Sequence, residues 1–454
     1  MERYDHKWWA LAGISVLAFT AYLDYTIVNT ALPFIQKDFQ TNVLNIQWVS
    51  NIFAIILAMT QIAFGKFADR WNRKKIFFLG VGCFAIAALG CGLSPTIEWL
   101  IFFRALQGLG ASVLFVCSVT LVSDSFPQSE RSKAIGIFAA ITGLGFVLGP
   151  FFGGLLIALF SWRWVFWINL PLIAMGLPGA ILALRSVVSE TSKVRIDWMS
   201  LLLLVTGLGS FIYGIISSGK LGWTFPSSWI PLLVGFFILF FLIKLDLKKE
   251  NPLISLHIFK NHLISLNLIN CVAGGIVTST FLFFDPLYLE NVRQLPAFQI
   301  GLWIAIIPVG QVFVSLFFNR ILKRIGCAKF ALISIIAATL AVAFHWGIGE
   351  KTPLIYLILP FVLIGITWGV ANTNTITAIN LSLPPSKIGD AIGTLYTSWN
   401  IGGAIFLSLG TAVFHASGKP FVPAFHLVSA LNFAAMFLFT MVAFIIYASA
   451  RRRQ

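Results

Sequence analysis

The chain is a near-continuous series of apolar stretches, each about as long as a bilayer is thick, and this restricts it to one solvent. About 20 apolar residues in a helix cross the ~30 Å hydrocarbon core. On that criterion fourteen spans follow one another, at 8–34, 46–66, 76–94, 98–122, 134–160, 164–185, 198–218, 228–245, 263–289, 299–321, 329–348, 353–377, 388–414 and 424–449. Backbone polar groups in lipid must be satisfied within each segment, so the spans are predicted to be helices; the alternation of a membrane barrel is absent. Only 10% of the 454 residues are charged and 58% are hydrophobic, whereas a soluble domain carries roughly a quarter charged residues. Too little polar surface is left to cover a water-facing globule. The fold class is therefore an all-α polytopic membrane protein. The first stretch contains Asp24 and Asn29 and lacks a small-residue cleavage site, so it reads as a membrane helix and not as a signal peptide.

A net charge of +15 raises the question of nucleic acid. The placement of the basic residues answers it. With the N-terminus inside, only Lys37, Arg163, Lys220, Arg293, Lys351 and Lys419 fall outside, Arg104 falls in the membrane, and the rest of the 31 Lys and Arg lie on the cytoplasmic side. They cluster at 66–75, 244–260, 320–329 and 451–453. This is the positive-inside rule, and it accounts for the charge without a nucleic-acid partner. The expected setting is a bacterial inner membrane with both termini cytoplasmic. Cys83, Cys91, Cys117, Cys271 and Cys327 form no CxxC or Cys/His cluster, and read as small apolar helix residues. The six histidines, His345, His415 and His426 among them, lie at or beyond span ends and suggest no metal site.

Fourteen spans divide most simply as six, two and six. The basic loop GKFADRWNRKKIF (65–77) has a fainter counterpart in FNRILKRIGCAKF (318–330), each two spans into its six-helix unit. Transporter halves are often such repeats. The resulting division is an N-terminal six-helix bundle at 1–187, an inserted helix pair with its linkers at 188–260, and a C-terminal six-helix bundle at 261–454.

Charges inside the bilayer are expensive, about 2.5–3.5 kcal/mol on insertion scales, and tend to be functional. Asp24 lies about 24 Å into the first span, and Arg104 about 9 Å into the fourth, which enters from the opposite face. The two therefore share a depth in the outer half of the membrane. Glu98, six residues before Arg104, is turned away from it by about 240°. Asp24 and Arg104 are expected to face each other. Such a pair can load and release a proton as helices move, or it can be a static structural ion pair.

Two further features stand out in this half. The fifth span, GIFAAITGLGFVLGPFFGG, places Gly136, Gly145, Gly149, Gly153 and Gly154 on nearby faces. Small residues allow close helix approach, and Pro150 permits a bend. The loop with Gly65, Asp69, Arg70, Arg73, Lys74 and Lys75 sets one acid among bases. Asp69 can bond arginines or cap a helix and so latch one conformation.

Taken in order, these segments resemble the major facilitator superfamily, and in particular its fourteen-helix drug:proton antiporters. LDYTIVNTALPFI (23–35) resembles the family's first-helix motif, and GKFADRWNRKK its loop motif, with Asn72 where glycine is usual. LIFFRALQGLGAS (100–112), the glycine pattern and SWRWVFWINLP (161–171) resemble the helix 4 motif, the antiporter motif and the segment after it. The resemblance implies two six-helix bundles with an accessory pair, working by alternating access. It implies that Arg104 relays protons and that Asp24 is the embedded acid of the coupling or substrate site, to which Asn29 and Gln107 also belong. It also implies that the proton gradient supplies the energy, with no cofactor, and that the chain acts as a monomer.

The C-terminal half matches less sharply: Asn400 stands where the family often has arginine, and Asp285 and Glu290 where Leu and Gln are commoner. Asp285, next to Pro286, can collect protons or cations at an outer mouth, or be a hydrated interfacial acid. Trp368, Asn372 and Thr375 share a helix face. With Asn267, Asn270, Trp399 and Asn400 they either line a cavity for amphipathic molecules or act as interhelical glue. The function expected is proton-coupled export of small lipophilic or cationic compounds, the alternative being export of an endogenous metabolite or metallophore. No loop is long enough for a separate catalytic or signalling domain.

Overall fold

A computed structural model describes residues 6–70, 72–184, 197–222, 225–249, 261–383 and 385–451. Among them there are helices and turns but no strand: α1 (Lys7–Asp38), α2 (Val43–Arg70), α3 (Arg73–Leu93), α4 (Ile97–Asp124), α5 (Arg131–Leu159), α6 (Trp164–Trp167), α7 (Asn169–Leu184), α8 (Trp198–Leu221), α9 (Pro226–Asp246), α10 (His262–Asn291), α11 (Ala297–Ile304), α12 (Ile306–Trp346), α13 (Ile358–Ser382), α14 (Pro385–Ala416) and α15 (Phe421–Arg451). Thirteen segments among the described residues are long and apolar enough to cross a membrane. The helix α14, at 32 residues, has the length of a fourteenth; its many Gly, Ser and Thr residues make it less apolar than the others.

Local chemistry sets the breaks between helices. Asn72 caps α3, its side-chain oxygen accepting from the backbone N–H of Lys74 (3.0 Å) and Lys75 (3.3 Å), which gives asparagine a use where glycine was expected. Asn261 caps α10 in the same way. The spans expected at 299–321 and 329–348 meet in α12, whose continuity is broken at Gly326 (φ 75°, ψ 161°). A side chain is disfavoured in that left-handed region, so glycine defines the corner. Gln40, after α1, and Gln294, after α10, both have positive φ (48° and 51°), so the first helix of each six-helix run ends in a similarly twisted turn.

The chain forms two compact units. The first comprises Met1–Thr41, Trp48–Asp197 and Leu295–Ala305, and the second comprises Asn42–Gln47, Trp198–Gln294 and Ile306–Gln454. The inserted pair, α8 and α9, belongs to the second, where α8 packs along α14. In the first unit, Ile14, Leu17, Phe77, Phe84, Leu114 and Phe126 form part of a closed apolar core. Large apolar side chains also point outward, among them Leu79, Ile86 and Leu93 of α3 and Phe236, Phe237 and Phe241 of α9. Water would oppose that exposure and lipid does not.

Candidate functional site

In the first unit the expected pair is present and has more partners than the sequence suggested. The carboxylate of Asp24 accepts from Arg104 Nη1 at 2.6 Å, Gln107 Nε2 at 2.8 Å and Asn169 Nδ2 at 2.9 Å. Arg104 also donates through Nε to the Val49 carbonyl (2.9 Å) and through Nη1 to Gln107 Oε1 (2.8 Å). Its guanidinium lies 4.2 Å from the centre of the Phe53 ring, a cation–π contact. Both members of the pair are almost fully buried, Asp24 at 0% and Arg104 at 1% exposure. Five helices contribute: α1, α2, α4, the short α6 through Phe166 at 5.9 Å from the guanidinium, and α7.

Desolvating two charges costs several kcal/mol per ion unless the remaining lone pairs and protons are used, and here neighbouring amides use most of them. Asn169 matters as much as Gln107. It opens α7 immediately after the break at Ile168, and its Nδ2 also donates to the Phe166 carbonyl at 3.1 Å. It lies in the segment SWRWVFWINLP (161–171), where nothing in the sequence distinguishes it as a site residue. The only signal was an uncharged asparagine in mid-span. Asn29 is not part of the cluster. Its amide donates to the Tyr25 carbonyl (3.1 Å) and accepts from Ser50 Oγ (3.1 Å), because five residues along a helix turn it well away from Asp24.

The glycines of α5 act on α1. A methyl built on Gly145 would meet the Phe19 carbonyl at 3.0 Å and one on Gly153 the Ile27 carbonyl at 3.0 Å, while one on Gly149 would collide with Thr26 Oγ1. One turn apart, the three form a bare strip on which α1 lies, and Thr26 Oγ1 donates across it to the Phe146 carbonyl (3.2 Å). Gly154 faces Ala297 and Gly301 of α11 instead, and Gly301 in turn abuts the Pro150 carbonyl. Gly136 has nothing within 4 Å of an added Cβ.

Of the expected latch, the side chains of Gly65, Asp69 and Arg70 lie outside the described residues. Arg73 is described, and it pairs with Asp124 at the end of α4 (2.8 Å). A similar bond joins Lys7 at the start of α1 to Glu130 before α5 (2.7 Å). Neither acid was singled out from the sequence, because each is a single charge in a polar loop.

In the second unit the candidate cavity residues fall into several small sets. Trp368 and Trp399 stack with ring centroids 6.4 Å apart. Asn372 Oδ1 accepts from Tyr396 (3.1 Å), whose own carbonyl accepts from Asn400 Nδ2 (3.1 Å). Asn267 accepts from Asn374 Nδ2 (3.1 Å), another asparagine passed over. Asn270 is buried, and neither of its amide atoms has a hydrogen-bond partner among the described residues.

Asp285 stands apart from these, in surroundings that differ from both expected settings. It is neither at an open mouth nor hydrated at an interface but 1% exposed, and Oδ2 lies 3.2 Å from Nε2 of His345, itself 0% exposed. The helix α10 continues beyond Asp285 to Asn291, and α12 and α15 pack against that helix.

An all-helical membrane body with a buried charge cluster in its first unit defines a multi-pass membrane transporter. Residues 14–407 match the Major Facilitator Superfamily, and the chain belongs to it. It is 28% identical to the Multidrug resistance protein Stp of Mycobacterium tuberculosis (strain CDC 1551 / Oshkosh), over 87% of this chain and 74% of that protein. It is 29% identical to the Riboflavin transporter RibZ of Clostridioides difficile (strain 630), over 90% of this chain and 87% of that protein. Among solved structures, the POT family transporter PepTSo matches at a TM-score of 0.73 and 14% identity, covering 99% of each chain; that likeness concerns the fold.

Proposed function

We propose that this chain is a proton-coupled exporter of small lipophilic or cationic compounds, working by alternating access in a bacterial inner membrane with both termini in the cytoplasm. The observation that carries the reading is the Asp24 cluster. A carboxylate fully buried against an arginine, with amides taking up its other lone pairs, has one chemical event open to it in hydrocarbon: gaining a proton. Protonation removes the charge that holds Arg104 and weakens the bonds from Gln107 and Asn169 together, so the helices they join are released as the proton binds. Arg104, which keeps its own proton, then needs another acceptor. A proton moving down a membrane potential supplies about 2.3 kcal/mol per 100 mV, enough to drive a modest substrate gradient without a cofactor. The relatedness to Stp supports drug-like cargo.

The test is ethidium efflux from proteoliposomes under an imposed pH gradient, with ethidium as the lipophilic cation. The reading expects efflux that depends on the gradient and is abolished by Asp24→Asn. Gradient-driven efflux that survives in Asp24→Asn overturns it. A second reading, transport of an endogenous metabolite, draws on the relatedness to RibZ. Competition of riboflavin against ethidium in the same vesicles separates the two.

A further inference from the structure

We infer that Asp285 and His345 form a second proton-binding site, in the second unit, which carries a single exchangeable proton between its two side chains; this rests on the proton-coupled reading above. The proton count follows from the hydrogen bonds. His345 Nδ1 lies 2.8 Å from the Ala341 carbonyl, and a carbonyl can only accept, so Nδ1 holds a hydrogen. Nε2 then faces Asp285 Oδ2 at 3.2 Å. That contact needs one proton between the two atoms, either on the ring as an imidazolium–carboxylate pair or on the acid as a neutral pair. Both forms have the same net charge, zero, which suits a buried position. Losing the proton would set a nitrogen lone pair against a carboxylate and leave a bare negative charge, so release requires α10 and α12 to part or water to reach them.

The surroundings leave this proton to these two groups. The helix α10 packs against α12, α13, α14 and α15, and α13 has no ionisable side chain. From α15, His426 is turned to the Ile348 carbonyl (2.7 Å). From α14, Tyr396 donates to Asn372, and His415 lies in the last turn; the side chains of Lys387 and Asp390 are outside the described residues. The basic residues of α12 begin at Lys329, about 24 Å along the helix. On α10 itself the Tyr288 hydroxyl donates to the Gly349 carbonyl (2.8 Å), and in the turn beyond, Arg293 donates to the carbonyls of Glu350 and Thr352. His345 is the only ion-pair partner of Asp285 among the described residues.

Two features suit the pair to exchange. Asp285 Oδ1 is buried without a hydrogen-bond partner among the described residues, so one acceptor of the acid is free to take a bond when the site opens. The next residue, Pro286, has no N–H, which leaves the Leu282 carbonyl without its helical donor and weakens α10 beside the acid. The Phe281 ring stacks on the imidazole at 3.8 Å and holds it in register. In contrast to Arg104, whose guanidinium keeps its proton, an imidazole nitrogen can either hold a proton or accept one.

Infrared difference spectra of the purified full-length chain, stepped between about pH 5 and 8, read the site directly. The expected result is a protonation-sensitive carboxyl signal that is lost in Asp285→Asn, shifted in His345→Gln and retained in Asp24→Asn, with one proton fewer bound per chain in Asp285→Asn. Unchanged spectra in folded Asp285→Asn overturn the inference. If both variants fail to fold, a chain in which the other five of the six histidines are replaced leaves His345 to report by nitrogen-15 resonance. A single unchanging state over that pH range overturns the inference as well. Ethidium efflux that stays gradient-driven in Asp24→Asn would defeat the preceding reading while leaving the spectra to decide this one.

Discussion

At the scale of single residues, Asp24 and Arg104 pose the question of whether a buried ion pair is there for stability or for turnover. The two roles make different predictions. Asp24→Asn leaves a buried guanidinium without a counter-charge, and Arg104→Gln leaves a buried carboxylate; each single change is expected to cost about 3–5 kcal/mol. The double variant removes both charges and should unfold at a higher temperature than either single one in detergent melts, yet recover no gradient-driven ethidium efflux. A double variant that transports normally would make the pair purely structural. Asn169→Ala takes away one of three donors to Asp24. It is expected to cost about 1–3 kcal/mol and to shift the pH dependence of efflux, because the acid then binds its proton in a weaker hydrogen-bond field.

At the scale of helices, the glycines of α5 are not equivalent. A methyl group at Gly149 meets Thr26, while Gly143 and Gly136 have open space. Gly149→Ala is therefore expected to destabilise by about 1–3 kcal/mol, with Gly143→Ala near neutral in the same thermal melts. Gly326→Ala forces a side chain into a left-handed backbone and should cost about 1–2 kcal/mol. How much of this was readable beforehand depends on what a linear pattern encodes. The spans were legible because hydrocarbon thickness fixes their length. Asp24 and Arg104 were legible because a charge in lipid is costly wherever it sits and 1.5 Å per residue converts position to depth. Helix rotation was not encoded in this way. Asn169 stayed hidden because an uncharged amide in mid-span carries little penalty to draw attention. His345 was placed correctly along the chain, but its partner is 60 residues away, and no spacing rule links two spans across that distance. Asn29 shared a motif with Asp24 and still faces α2.

At the scale of the molecule, the two-sided distribution of lysine and arginine gives a topology that can be tested chemically. Lys419 and Lys133 are both exposed, and the proposed orientation puts them on opposite sides. In a Cys83→Ser background, Lys419→Cys should react with a membrane-impermeant thiol reagent in intact cells, and Lys133→Cys only after the membrane is opened. The other four cysteines are buried and should add little background. The reverse pattern would invert the topology.

The glutamine turns at Gln40 and Gln294 relate the two six-helix runs to each other. A left-handed bend on a residue other than glycine is uncommon, and here it recurs at the same corner of two successive six-helix runs, on the same amino acid. Such a recurrence is what two repeats of one six-helix unit would share, each turning its first corner the same way.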